Sequence, residues 1–235
     1  MAAALQTAKK DLRRRMREAL RQVPSESVVS QSRLAANQLF SLSEYQNARR
    51  ISVYLSMPSG ELSTSAIVHD ALKSGKQVFI PYIHSVEQPA APQKTSIMDM
   101  LALESVEEFE SLERDKWGIP SLKPAHAASK PNCLGGQGVT PGADETTREH
   151  GLDLIVMPGM AFDQKFRRLG HGKGYYDHFL TRYSKDSDTA TPKMPFLVAL
   201  CLKEQMLPLV EDIPVSEHDW PIDAIITGDG QFLQR

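Results

Sequence analysis

The run at residues 152–157, Leu-Asp-Leu-Ile-Val-Met, closed by Pro158-Gly159, most constrains the fold. A short, nearly continuous apolar run ending in a turn suits a strand covered on both faces. Such a strand needs layers above and below it. Further strand patterns occur at 50–56, where Ile51, Val53 and Leu55 alternate with Ser52 and Tyr54, and at 77–83, 97–103, 196–202 and 222–227. Helical patterns lie between and before them. Leu5, Leu12, Met16 and Leu20 share one face of a helix over 1–21. A second helix follows Pro24, with Ser25 as its N-cap and Val28, Val29, Leu34, Leu39 and Phe40 as its apolar residues. A third spans 62–73, with Ile67, Val68, Ala71 and Leu72 inward and Gly75 as its stop. Strands separated by helices predict an α/β fold, a single open and largely parallel sheet flanked by helices.

The 235 residues suffice for one sizeable domain, and no repeat or linker divides them. Two stretches break the rhythm. Residues 123–151 hold Pro124, Pro131, Gly135-Gly136, Gly138, Pro141 and Gly142, and residues 184–195 hold Pro192 and Pro195. Both are expected to be loop insertions. The net charge of −2 and a pI near 6.4 argue against a nucleic-acid partner. No apolar run is long enough to cross a bilayer. Cys133 and Cys201 lie far apart, match no metal spacing and fit a reducing compartment. Residues 1–21 are rich in Ala, Lys and Arg, as a mitochondrial presequence is, but Asp11 and Glu18 favour a folded amphipathic helix.

The most informative chemical signal is Arg168-Leu169-Gly170-His171-Gly172-Lys173-Gly174-Tyr175-Tyr176-Asp177. Alternating glycines let backbone N–H groups approach a ligand, and Lys173 adds a compact positive charge. A helix over 175–183 would point its N-terminal dipole at the same anion. Phosphate is the partner such a loop suits. The spacing is neither that of a P-loop nor that of a dinucleotide fingerprint. A flexible turn before a helix is the plain alternative. In an open parallel sheet ligands collect at the carboxyl ends of strands. Ser56, Met57, Glu61, Pro158-Gly159 and Phe162-Asp163 all follow strand patterns there.

These residues resemble the 5-formyltetrahydrofolate cyclo-ligase (methenyltetrahydrofolate synthetase) family over nearly the whole chain, its eukaryotic members most. The resemblance rests on Lys9-Lys10-Asp11-Leu12-Arg13, the segments 43–46 and 50–57, Glu61, Met98-Asp99-Met100, Trp117-Gly118-Ile119-Pro120, the 152–159 run and the glycine loop. It implies a three-layer αβα fold of the NagB/RpiA/CoA-transferase-like type. It also implies the ATP-dependent closure of 5-formyltetrahydrofolate to 5,10-methenyltetrahydrofolate, with Mg²⁺ as cofactor. A monomer in the cytosol is expected, with the mitochondrion as second choice, and neither nucleic acid nor membrane as partner. Phosphoryl transfer asks the protein mainly for positioning and charge neutralisation.

Site roles follow from the same resemblance. Lys9, Lys10 and Arg13 are assigned to ATP; alone they read as a solvated basic face. Arg168, Leu169, Gly170, His171, Gly172, Lys173, Gly174, Tyr175 and Tyr176 form the nucleotide loop, and Lys173, His171 and Arg168 are the catalytic candidates. His171 stands where relatives often carry Arg. Leu55, Met57, Glu61, Trp117, His171 and Tyr175 are the folate candidates, although Trp117 and the tyrosines would by default pack in the core. Asp177 and Asp219 are the Mg²⁺ ligands; alone, Asp177 complements a helix dipole and Asp219 is a loop acid. The competing readings are a small-molecule kinase on a similar sheet, a divergent member acting on another substrate, and a non-catalytic folate- or nucleotide-binding module.

Overall fold

The computed structural model describes residues 2–86, 95–139, 151–185 and 194–235. Parts of the two expected insertions, 140–150 and 186–193, lie outside the described residues. Helices α1 (Ala2–Arg21), α2 (Ser25–Ser41) and α3 (Ser43–Asn47) precede strand β1 (Arg50–Val53). Then come α4 (Ser65–Lys73), β2 (Gln77–Val86), β3 (Thr95–Leu103) and α5 (Val106–Ser111). The two-residue strands β4 (Glu113–Arg114) and β5 (Pro120–Ser121) pair with each other, and α6 (Pro124–Ala127) follows. β6 (Leu154–Met157) leads to a second short pair, β7 (Ala161–Phe162) and β8 (Arg168–Leu169), then to α7 (Tyr175–Tyr183). β9 (Phe196–Cys201), β10 (Ala224–Thr227) and β11 (Phe232–Gln234) complete the chain.

Seven strands form one sheet in the order β11-β10-β9-β6-β1-β2-β3. The five inner strands are parallel and both edges are antiparallel. The residue 152–157 pattern marks the middle: Leu154, Ile155, Val156 and Met157 are all fully buried in β6. β3 joins the sheet antiparallel to β2, from Val78↔Leu103 to Val86↔Thr95. The eight residues between Val86 and Thr95 are fewer than the dozen or so a parallel crossover takes.

Two apolar clusters position the site. The main core fills the space between sheet and helices, with Leu39, Ile67, Phe79, Ile155 and Phe179 among its members. A second cluster joins Leu12 and Met16 of α1 to Met160, Ala161, Leu169, Leu207 and Ile213. It fastens the basic helix against the β7–β8 pair, immediately before the glycine loop. None of the described helices is long and apolar enough to cross a membrane.

Two local expectations change. In α2 Pro24 holds the cap position and Ser25 is the first helical residue, without a side-chain cap bond. Val29 and Leu34 of α2 are exposed, while Gln31 and Ser32 are buried. Their side chains tie down neighbouring loops: Lys203 N donates to Gln31 Oε1 at 2.9 Å, and Ser63 N donates to Ser32 Oγ at 2.9 Å. The described part of the first insertion also packs onto the sheet. Ala102 N donates to Pro131 O, Cys133 N donates to Met100 O, and Cys133 is fully buried. Hydrogen bonds to the edge strand β3 order this segment, a pairing its Pro and Gly content conceals.

Candidate active site

The strand order reverses beside β1. The chain runs outward from β1 to β2, and β6 is laid on the other side of β1. A crevice opens at such a reversal, outside the carboxyl ends of the strands. Here it is a cavity of 660 Å³, within the range of small-molecule sites. Met57 and Glu61 reach it from the turn after β1, Gly159 and Met160 from the turn after β6, His171 from the glycine loop, and Arg17 from α1. A larger hollow of 730 Å³ lies at the opposite ends of the strands, lined by Glu44, Asp153 and Asp223. Its carboxylates serve strand starts: Asp153 accepts from the Arg49 and Arg50 amides, and Asp223 from the Leu197 amide. An acidic wall of this kind does not suit a polyphosphate.

The glycine loop and α1 meet edge to edge. Gly172 and Gly174 hold φ values of 104° and 67°, a region that side-chain-bearing residues rarely adopt. Gly174 occupies the cap position of α7. Arg13 Nε donates to the Gly170 carbonyl at 2.8 Å, and its guanidinium carbon would lie 3.4 Å from a Cβ placed on Gly172. Burial lowers the Arg13 pKa, the Asp219 charge opposing this and Arg17 adding to it. Lys9, on the same face of α1, is buried and donates to Asp219 Oδ2 at 2.6 Å. Lys10 is exposed one position along. The helical period thus brings two of the three basic candidates together and leaves Lys10 outside. Lys173 is exposed, and no carboxylate pairs with it among the described residues.

Arg168 is buried behind the loop. Its Nη2 donates to Asp177 Oδ2 at 3.0 Å, and its guanidinium stands 5.6 Å from the Tyr176 ring centre. Close backbone approach makes room for it: a Cβ on Gly159 would fall 2.5 Å from Phe162 and 3.1 Å from Arg168 Cγ. The Arg168 Nε and the Tyr176 hydroxyl are buried without a partner among the described residues. Orphaned polar atoms are costly, and both of these belong to the segment that carries the glycine loop into α7. Leu169, by contrast, is a core residue of the second cluster.

Glu61, which also lines the cavity, is buried, and Oε2 accepts from the Met57 amide at 3.0 Å. Desolvation pushes its carboxyl up to about 7, the Met57 bond opposing. His171 Nε2 stands 3.8 Å from Glu61 Oε1. Burial, followed by the charges of Arg168, Arg13 and Arg17, holds the His171 pKa below its ordinary value. The remaining folate candidates sit elsewhere. Leu55 belongs to the main core, and Tyr175 is half-buried against it. Trp117 is 61% exposed on the β4–β5 turn, so its default core placement does not hold. Gly118 of that turn abuts Pro58 on the cavity's lip.

Arg17 and Gln205 gave no sequence signal, and Asp163 showed only its place after a strand pattern. Arg17 lines the cavity one helical turn after Arg13. Gln205, fully buried, donates to the Gly159 carbonyl at 2.6 Å and accepts from the Leu202 amide. Asp163 collects the amides of Lys165, Arg167 and Ile213, which fixes the turn leading into β8. Gln205 is a single polar side chain bonded to distant backbone, a role that leaves no local pattern.

Asp177 and Asp219 offer oxygen donors of the kind Mg²⁺ takes. Asp177 Oδ1 accepts from the Trp220 amide at 3.1 Å, so the second acidic segment is tied to the first. Burial acts to raise the Asp219 pKa, but the Lys9 and Ser216 hydrogen bonds and the Lys9 charge outweigh it and hold the group ionised. Lys9 and Ser216 share Asp219 Oδ2, whereas Oδ1 has no donor among the described residues. Among the described residues no three His, Cys, Asp or Glu side chains converge as a metal cage. The donor set fits an ion that draws most of its shell from nucleotide oxygens and water.

Comparison with known proteins agrees with this architecture. A model of the 5-formyltetrahydrofolate cyclo-ligase family matches residues 5–228. A mouse protein named 5-formyltetrahydrofolate cyclo-ligase is 35% identical over 228 residues, 97% of each chain. A Saccharomyces cerevisiae protein of the same name is 30% identical over 225 residues, 94% of this chain and 95% of the relative. The Aquifex aeolicus 5,10-methenyltetrahydrofolate synthetase structure superposes with a TM-score of 0.62 at 21% identity, covering 96% of this chain and 92% of its own, and supports the fold. With a matching model from residue 5 to 228 and relatives 30–35% identical along nearly their whole length, the chain belongs to the 5-formyltetrahydrofolate cyclo-ligase family.

Proposed function

We propose that this protein, acting as one domain over residues 1–235, uses ATP to close 5-formyltetrahydrofolate to 5,10-methenyltetrahydrofolate, releasing ADP and phosphate. The observation that carries the reading is the junction at His171. There the glycine loop, gripped by Arg13, meets a cavity that Glu61 also lines, its Oε1 3.8 Å from His171 Nε2. A phosphate cradle and a ring-sized slot therefore share one wall, as a reaction between a triphosphate and a folate requires.

Lys9, Arg13, Arg168 and Lys173 neutralise the triphosphate, and the amides of residues 170–174 face its oxygens. The formyl oxygen attacks the γ-phosphorus, forming a P–O bond as the bond to ADP breaks. Lys173, exposed at the loop tip, is free to follow the charge that builds on the transferred group. N10 then attacks the activated formyl carbon, and phosphate leaves with the C–O electron pair as the ring closes. Glu61 orients the pterin edge and Met57 flanks it. Asp219 and Asp177 hold Mg²⁺, which when bound screens the phosphate charge. The cytosol is the compartment proposed.

The test is direct. Mixing the protein with 5-formyltetrahydrofolate and Mg-ATP should raise the near-ultraviolet band of the methenyl product, with one ADP formed per ring closed. ADP release without that band would instead favour a small-molecule kinase.

A further inference from the structure

Helix α1 sets a cation at every fourth position: Lys9, Arg13, Arg17 and Arg21. Like charges at that spacing destabilise a helix, so helix stability does not account for the stripe. Amid the helix's other bases only the packing singles it out. Arg14 and Arg15 pair with Asp11 and Glu211, away from the cavity. Lys9 is held by Asp219 and Arg13 by the Gly170 carbonyl. Arg17 and Arg21 both line the cavity, and so does Arg114 of β4, whose Nη1 donates to the Gly118 carbonyl at 2.7 Å. All three are exposed, and no carboxylate pairs with any of them among the described residues.

We propose that Arg21 and Arg114 bind the two carboxylates of the substrate's glutamate tail and thereby set substrate affinity without touching the reacting atoms. The inference rests on the cyclo-ligase reading and deepens it. 5-Formyltetrahydrofolate carries its reacting nitrogen and formyl group at the pterin end. Both of its negative charges lie at the opposite end, beyond an aminobenzoyl ring. The cavity is polarised in the same sense. Arg17 acts electrostatically on both His171 and Arg13, so it belongs to the phosphate end. Arg21 lies one helical turn further on, roughly 18 Å along the axis from Lys9. The lining there turns apolar, with Leu20 and Val23 flanking Arg21 in sequence and Val28 and Val29 coming from α2. Val29 is 70% exposed, an apolar surface that a bound aromatic ring would cover. An apolar wall edged by unpaired arginines suits a ring that ends in carboxylates, because the planar guanidinium matches a carboxylate with two parallel hydrogen bonds.

Arg21 ends α1, where a cation also complements the helix dipole, so a change in stability alone does not reveal a tail contact. The deciding readout is the charge on the substrate. Arg21→Gln and Arg114→Gln should each raise the KM for 5-formyltetrahydrofolate about three- to tenfold, with kcat and the KM for ATP within about twofold of wild type. The same substrate with both tail carboxyls converted to neutral amides should bind wild type correspondingly less tightly, and neither substitution should weaken it further. Arg14→Gln, on the same helix but outside the cavity, should leave the KM for both compounds unchanged. An unchanged KM for the acid in Arg21→Gln and Arg114→Gln would overturn the proposal. So would an equal rise for acid and diamide, which would show that the arginines act through packing, or an equal rise in Arg14→Gln, which would show a general field effect. A wild-type protein that forms no methenyl band with either compound would instead overturn the underlying cyclo-ligase reading.

Discussion

A carboxyl taken out of water with no cation in hydrogen-bonding contact drifts toward its neutral form, and Glu61 is the example here. Its displacement from 4.5 to about 7 corresponds to about 3 kcal/mol between the two protonation states. Because the folded value is the higher one, this stabilisation is complete below pH 4.5 and is lost as pH rises to about 7. Urea unfolding at pH 5 and pH 8 should show it: wild type loses stability across the interval, and Glu61→Gln has a flatter profile. Parallel profiles for the two proteins would contradict the account. Lys173 is the opposite case, exposed and without a structural partner among the described residues. Lys173→Ala should keep the wild-type melting temperature while kcat/KM falls at least about 100-fold. Arg168 lies between them, because it is buried and structural as well as cationic. Arg168→Ala would strand the Asp177 carboxylate and should cost roughly 3–5 kcal/mol in chemical denaturation, besides its effect on turnover.

The elements differ in how far sequence disclosed them. β6 was legible because four consecutive apolar residues need cover on both faces, and all four are fully buried. α1 was legible by its period, which also separates Lys9 and Arg13 from Lys10. α2 was misread at Val29 and Leu34. A helix docked partly through Gln31 and Ser32 violates the rule that apolar residues define the inner face. The glycine loop was legible as the entry to a helix over 175–183, which the fold shows as α7, but Gly159 was only a turn in the sequence. In the fold it is the gap that lets Arg168 pass. Gly159→Ala forces a Cβ into Phe162 and Arg168 Cγ, both of which belong to buried side chains. It should cost about 1–3 kcal/mol and raise the KM for ATP, which thermal denaturation and initial rates together would reveal.

At the scale of the molecule, the proposed nucleotide site draws on three separated parts of the chain. These are α1 near the start, the 168–177 loop, and the 216–220 turn, linked by Lys9–Asp219, Arg13–Gly170 and Trp220–Asp177. A ligand bound by all three acts as a cross-link. Mg-ATP at 100 times its dissociation constant should stabilise the protein by about 2.7 kcal/mol. Differential scanning fluorimetry should record the shift, reduced in Lys9→Ala and in Lys173→Ala. A wild-type melting temperature that ignores nucleotide would mean these parts do not share a ligand.

Local chemistry accounts for what the sequence determined by itself: the layered α/β class, the buried middle strand, the glycine turn before α7 and the basic face of the first helix. Each depends on neighbours within one turn or one strand, so each leaves a pattern. The fold alone decided where these pieces meet. The reversal of strand order beside β1 places Glu61 opposite His171, although 110 positions separate them. Packing also left Trp117 in solvent, drew Leu55 inward and brought Gln205 beneath Gly159. Such placements arise from long-range burial and pairing, whose free energy is shared across the whole core and is written in no single stretch of residues.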